Sequence, residues 1–120
     1  MYCDGAQHQG HVENPVSYKD TKLYFRGAAN TRSHFQWLIN TYKINSAEKV
    51  LLTGASAGGI ATFTWTNYMR SLIDRPENLY TIADSSIFAN VSYPGTNYYV
   101  WNIVASNLFK VSNVDEKFPI

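Results

Sequence analysis

The hydrophobic positions of this chain fall into short runs and helical stripes, separated by polar, turn-forming segments. Residues 2–20 are polar and rich in turn formers, with Asp4-Gly5, Gly10 and Asn14-Pro15, and read as a loop. Lys22-Leu23-Tyr24-Phe25 is a strand candidate ended by Arg26-Gly27. Asn30-Thr31 offers a cap for a helix over residues 32–42. In it Phe35, Leu38, Ile39 and Tyr42 recur at i, i+3, i+4 and i+7 as one apolar stripe, with Trp37 off it. Val50-Leu51-Leu52 is a short apolar run of the kind that fills a buried strand. Residues 60–72 are long enough for a helix, which Asp74-Arg75-Pro76-Glu77-Asn78 breaks. Leu79-Tyr80-Thr81-Ile82-Ala83 reads as the next strand, Tyr93-Pro94-Gly95-Thr96 as a turn and residues 98–110 as a last helix. This alternation of strands and helices predicts an α/β fold with a mostly parallel sheet flanked by helices.

Between the run at Val50 and the helix at Ile60 stands Thr53-Gly54-Ala55-Ser56-Ala57-Gly58-Gly59. Gly54 to Gly58 is a G-x-S-x-G placed between a strand and a helix, the setting of a nucleophile elbow. A serine hydroxyl is a weak nucleophile and must be presented to a base on a sharp turn. Gly54 and Gly58 are expected to remove Cβ atoms that would crowd that turn. The amide of Ala57, at the start of the helix, is expected to face a developing oxyanion. A phosphate loop would need Lys and Ser or Thr where Ile60 and Ala61 stand, and a dinucleotide fingerprint would need Gly at Ser56. Asp84, at the end of the following strand, is expected on the same carboxyl edge of the sheet as Ser56, where ligands of parallel sheets bind. It is a candidate triad acid or a residue shaping the site floor.

Composition narrows the choice further. A net charge of +1 with 16% charged residues gives no electrostatic case for nucleic acid. No apolar run approaches the length of a membrane span. Aromatic residues make up 15% and suit stacking on sugar faces, although packing in a core accounts for most of them. No cofactor motif is present. His8 and His11 form an H-x-x-H, but Gly10 argues against the helix a metal pair would need, and no metal is expected. All three histidines precede Ser56, whereas elbow hydrolases run Ser, acid, His; His34 therefore reads as a helix surface residue. Cys3 is the sole cysteine, either a lone thiol or half of a disulfide whose partner lies elsewhere. Residues 1–5 lack the basic and apolar regions of a secretory leader. One glycosylation sequon occurs, Asn90-Val91-Ser92.

Four blocks in series resemble the pectinacetylesterase family, which also contains the Notum carboxylesterases. They are Tyr2-Cys3-Asp4-Gly5-Ala6, Leu23-Tyr24-Phe25-Arg26-Gly27-Ala28, the run from Val50 to Gly59, and Ala83-Asp84-Ser85. The resemblance spans residues 2–88. It implies an α/β-hydrolase fold, a secreted or lumenal setting, and hydrolysis of carboxylic esters with Ser56 as nucleophile and the Ala57 amide as one oxyanion donor. It also implies that further oxyanion donors lie upstream of Tyr2 and that the triad acid and histidine lie beyond Ile120. Residues 1–120 are accordingly expected to be part of a larger domain that lacks its N-terminal and C-terminal portions here. Where the family usually reads Asp-Ser-Gly, this chain has Ser86.

The expected function is that of a serine carboxylesterase acting on O-acyl groups, above all acetyl esters of a polysaccharide such as pectin. An acylated protein is the other substrate class the resemblance implies. Two readings of different class stand beside it: a non-catalytic hydrolase-like binding protein, and a truncated product with no function of its own.

Overall fold

The chain runs β1 (Val16–Tyr18), β2 (Thr21–Leu23), α1 (Gly27–Tyr42), β3 (Val50–Ala55), α2 (Ala57–Leu72), β4 (Leu79–Asp84) and α3 (Val100–Val111). Single 3₁₀ turns stand at Ile44–Ser46 and Pro76–Asn78. This computed structural model describes residues 5–87 and 89–114. Cys3, most of the Tyr2–Ala6 block, Phe88 and the closing segment 115–119 lie outside the described residues.

β3 and β4 pair in parallel, in register from Val50 opposite Leu79 to Ala55 opposite Asp84. Parallel neighbours need a crossover, and α2 supplies it. The expected α/β alternation is therefore present, on a small parallel sheet. The two strands alternate faces with period two. Val50, Leu52 and Leu79 turn toward the helices, while Leu51, Tyr80 and Ile82 stay more than half exposed on the other side.

The core grows from the helical side of this pair. Trp65 on α2 is 2% exposed and packs with Ala28 of α1 and Ala61. Met69, Ile73 and Leu79 form a second cluster, and Phe35 and Leu52 touch both. Phe35 meets the Trp65 ring edge-on at 5.9 Å and stacks on Tyr68 at 6.2 Å. The Arg32 guanidinium lies over Trp65 and Tyr68 at 5.8 and 5.9 Å. The Trp65 indole N–H donates to the His8 carbonyl at 3.1 Å, which ties the N-terminal loop to α2. Threonines, which lose freedom in helices, return hydrogen bonds to α2 itself: Thr62 to Gly58 and Thr66 to Thr62.

Three expectations need correction. The segment read as a loop contains β1, which forms an antiparallel hairpin with β2, so the strand expected at 22–25 sits at Thr21–Leu23. Both strands are exposed throughout, and at three residues each they are too short for an alternating pattern to mark them. α1 starts at Gly27 and not at a cap on Asn30-Thr31. One of its first amides, Ala28 N–H, finds its acceptor in the carbonyl of Gly10, at 3.0 Å, and no side-chain cap is used. The α1 stripe also ends early: Tyr42 is exposed and packs edge-on against Trp37 at 5.4 Å. Among the described residues no helix is long and apolar enough to cross a membrane.

The sequence reading gives Gly54 and Gly58 one steric role; the structure divides them. A Cβ built on Gly54 collides with the backbone carbonyl of Gly58, with the carbonyl carbon at 2.5 Å. Backbone cannot step aside as a side chain can, so β3 and α2 meet this closely only because residue 54 is glycine. A Cβ on Gly58 meets nothing within 4 Å. Gly58 is therefore not itself crowded: its carbonyl is the obstacle, and its own Cβ direction is open. The second crowded position is Gly59, where a Cβ would lie 2.5 Å from Ser86 Cβ and 2.8 Å from the Asp84 carbonyl oxygen.

Gly54→Ala is expected to lower the urea midpoint substantially. Gly58→Ala is expected to leave it unchanged or raise stability by up to about 1 kcal/mol, because glycine inside a helix carries an entropic cost. Equal losses for the two variants would refute this division. Trp65→Ala should cost about 3–5 kcal/mol in the same measurement, the usual range for emptying an aromatic core site.

Candidate active site

Ser56 is the residue at which strand becomes helix. β3 ends at Ala55 and α2 begins at Ala57, so the whole reversal falls on one residue. Its dihedrals are φ 53° and ψ −117°, a conformation that residues with a Cβ rarely adopt. Such backbone costs about 1–3 kcal/mol and persists only where the surroundings hold it. Three hydrogen bonds do so here. Ser56 N–H donates to the Asp84 carbonyl at 3.0 Å, and Gly59 and Ile60 N–H donate to the Ser56 carbonyl at 3.0 and 3.1 Å.

The side chain is left out of this arrangement. A serine before a helix ordinarily turns its hydroxyl onto the first-turn amides as a cap. Ser56 makes no such bond: its backbone, at φ 53° and ψ −117°, lies outside the extended region from which a capping side chain reaches those amides, and only its carbonyl takes the Gly59 and Ile60 amides. The residue is exposed, and its hydroxyl has no hydrogen-bond partner among the described residues. The Ala57 and Gly58 amides belong to the first turn of α2, whose leading N–H groups lack intrahelical acceptors. Their dipoles and that of the helix favour negative charge beside Ser56. The arrangement can present a hydroxyl and, next to it, donors for an anion.

Asp84 stands opposite Ala55 at the same end of the neighbouring strand, so the structure brings it to the edge that carries Ser56. Its carbonyl holds the Ser56 amide, while its carboxylate accepts from the Ser85 hydroxyl at 3.0 Å. Ser85 is itself left-handed, at φ 49°. Each parallel strand thus ends in a serine of positive φ, and the two turns are joined by the Ser56–Asp84 bond. Ser86 follows, 6% exposed, its hydroxyl unpartnered among the described residues and its Cβ against Gly59. Sequence reasoning missed Gly59 and the packing of Ser86. The doubled glycine at 58–59 is the only hint that one of them answers to a neighbour.

The histidines take up other positions. His34 Nδ1 lies 2.9 Å from the Asn30 carbonyl, one turn back on α1, which agrees with a helix surface residue. His11 donates its backbone amide to Ser112 at 2.8 Å. His8 helps to line a cavity of about 180 Å³ with Phe35, Thr53, Gly58 and Trp65. Among the described residues no three His, Cys, Asp or Glu side chains come together as metal ligands would.

A strand–serine–helix turn of this kind is shared by many hydrolases, so the wider chain must say which. The family model described as Pectinacetylesterase matches residues 1–119. Among curated proteins, the chain is 31% identical over 90 residues to pectin acetylesterase 4 of Arabidopsis thaliana, covering 75% of this chain and 22% of that one. It is 32% identical over 91 residues to pectin acetylesterase 5 of the same plant, covering 75% and 21%. Pectin acetylesterase 7 matches at 32% over 89 residues, covering 72% and 22%. The chain spans about a fifth of the length of these relatives. No solved structure matches it. The match to the family model runs through the turn at Ser56 and over nearly every residue on either side of it, and on that extent the chain belongs to the pectinacetylesterase family.

Proposed function

We propose that this chain carries the nucleophile region of a serine carboxylesterase that removes O-acetyl groups from a pectin-type polysaccharide. The observation that supports it most is the backbone of Ser56, strained at φ 53° between a parallel strand and a helix, with its hydroxyl exposed and unused by the fold. In this reading Ser56 Oγ attacks the acetyl carbonyl and forms an acyl-enzyme, which water then hydrolyses. The Ala57 amide donates to the oxyanion as the carbonyl becomes tetrahedral. A histidine takes the Ser56 proton and later delivers it to the leaving sugar hydroxyl. The resemblance implies that this histidine and the triad acid lie beyond Ile120, in an α/β-hydrolase sheet that extends the β3–β4 pair. The names of the relatives support acetylated pectin as substrate, and the family resemblance supports a secreted or lumenal setting.

Asp84 has a supporting part in this scheme. Its carbonyl holds the Ser56 amide and its carboxylate is engaged by Ser85, which suits a residue that shapes the floor of the site better than one that orients an imidazole.

In the full-length protein, Ser56→Ala should lower hydrolysis of acetylated pectin by about 10⁴-fold or more at unchanged thermal stability, as for other nucleophiles of this type. A fluorophosphonate probe should label Ser56 and nothing in the variant. Labelling elsewhere with activity retained would remove Ser56 from the mechanism, and binding of pectin without turnover would favour a binding protein. Asp84→Asn should leave kcat within about tenfold, because the backbone carbonyl survives the change, whereas loss of a triad acid costs about 10⁴. A loss of that larger size in a well-folded variant would make Asp84 the acid.

A further inference from the structure

One segment beyond the Ser56 region carries chemistry of its own. Residues 89–99 leave the carboxyl end of β4 and run to the start of α3. Tyr93 N–H donates to the Tyr98 carbonyl at 2.8 Å and Thr96 N–H to the Tyr93 carbonyl at 3.0 Å, which closes a turn around Pro94 and Gly95. The Thr96 hydroxyl donates to the Tyr93 carbonyl at 2.9 Å and accepts from Tyr98 N–H at 3.1 Å. Ser92 pairs with Tyr99 across the base of this closed loop. Immediately outside it, Val91 N–H donates to the Ala89 carbonyl at 3.0 Å, a three-residue turn centred on Asn90.

Asn90, Val91 and Ser92 are all exposed, Val91 at 70%. They lie outside every strand and helix. The carboxamide of Asn90 and the hydroxyl of Ser92 have no hydrogen-bond partner among the described residues, whereas the Thr96 hydroxyl in the adjoining turn is bonded twice. Of the asparagines in the chain, Asn90 alone begins the pattern Asn-x-Ser/Thr with x other than proline.

We infer that Asn90 is an N-glycosylation site that takes a preassembled oligosaccharide as the chain passes through a secretory compartment. The inference rests on the lumenal setting of the proposed function, and not on the identity of the nucleophile. The donor is an oligosaccharide joined through pyrophosphate to a polyisoprenoid lipid. The Asn90 amide nitrogen forms a bond to the anomeric carbon and gives up one proton. The carbon–oxygen bond to the pyrophosphate breaks, and that oxygen leaves with the electron pair. No atom is oxidised or reduced. The hydroxyl two residues on, Ser92, is the group through which the acceptor sequence is read. Transfer precedes complete folding, so the folded protein must meet one demand: the modified side chain must stay in solvent. A turn centred on Asn90, with an exposed neighbour on each side, meets it.

The full-length protein should be produced in a eukaryotic secretory host and the lumenal and secreted fractions pooled. The tryptic peptide spanning Asn90 is then read by mass spectrometry before and after peptide N-glycosidase. The expected result is a glycan mass on that peptide, removed by the glycosidase to leave an aspartate in place of Asn90. Asn90→Gln and Ser92→Ala should each abolish the shift, and Ser92→Thr should keep it. Ester hydrolysis by Asn90→Gln should match the parent, which separates failure of this inference from failure of the esterase reading. An unmodified Asn90 peptide throughout the pooled lumenal material would overturn the inference, as would a glycan that survives Ser92→Ala.

Discussion

Everything near the proposed site depends on a single peptide that is held against its preference. Ser56 keeps a positive φ because its amide is fixed by Asp84 on the next strand and its carbonyl is fixed by two amides of α2. The sheet register and the helix start are thereby one constraint. If β4 slipped by one residue along β3, the carbonyl that holds Ser56 would leave, and the serine would be free to relax and cap the helix. The pairing of Ala55 with Asp84 thus ties strand register to side-chain presentation. Gly54 makes this geometry sterically open, since only a residue without Cβ lets the Gly58 carbonyl come so near.

The sequence made the central unit legible and the periphery much less so. β3, α2 and β4 follow from an apolar run, a glycine-flanked serine and a second apolar run, although β3 is not the buried strand its run suggests: Leu51 is 57% exposed. The start of α1 was not legible, because its first-turn acceptor is a carbonyl 18 residues back, on Gly10, and no pattern within the helix encodes that. The β1–β2 hairpin was hidden because neither strand buries a face. Trp65 looked like one aromatic among many. Its place in the core comes from the meeting of two helices and a loop, with the His8 carbonyl completing it. At the site itself, the position of Ser56 was readable from the G-x-S-x-G spacing together with the strand before it and the helix after it. The role of Gly58 was misread, because a motif gives the order of residues but not the direction in which each Cβ points.

The aromatic residues divide in a way that composition could not show. Phe35, Trp65 and Tyr68 form one cluster on the helical side of the sheet. Trp37, Tyr42, Tyr80, Tyr93 and Tyr98 stand exposed. Tyr80 joins Leu51 and Ile82 on the sheet face that the described helices leave uncovered. Parallel sheets usually carry cover on both faces, and on this side three large apolar side chains remain more than half exposed.

The contact between Gly59 and Ser86 governs how this corner of the protein can change over generations. Ser86 fills part of the space that a side chain at 59 would occupy, and the Asp84 carbonyl fills the rest. Shrinking residue 86 to glycine removes the first obstacle and leaves the second, which is the same carbonyl that holds Ser56. Position 59 is therefore closed to every larger residue for as long as the serine turn exists, whereas position 86 stays open to exchange among small ones. The two residues touch, yet their histories are unequal: drift can be recorded at 86, and at 59 it is erased.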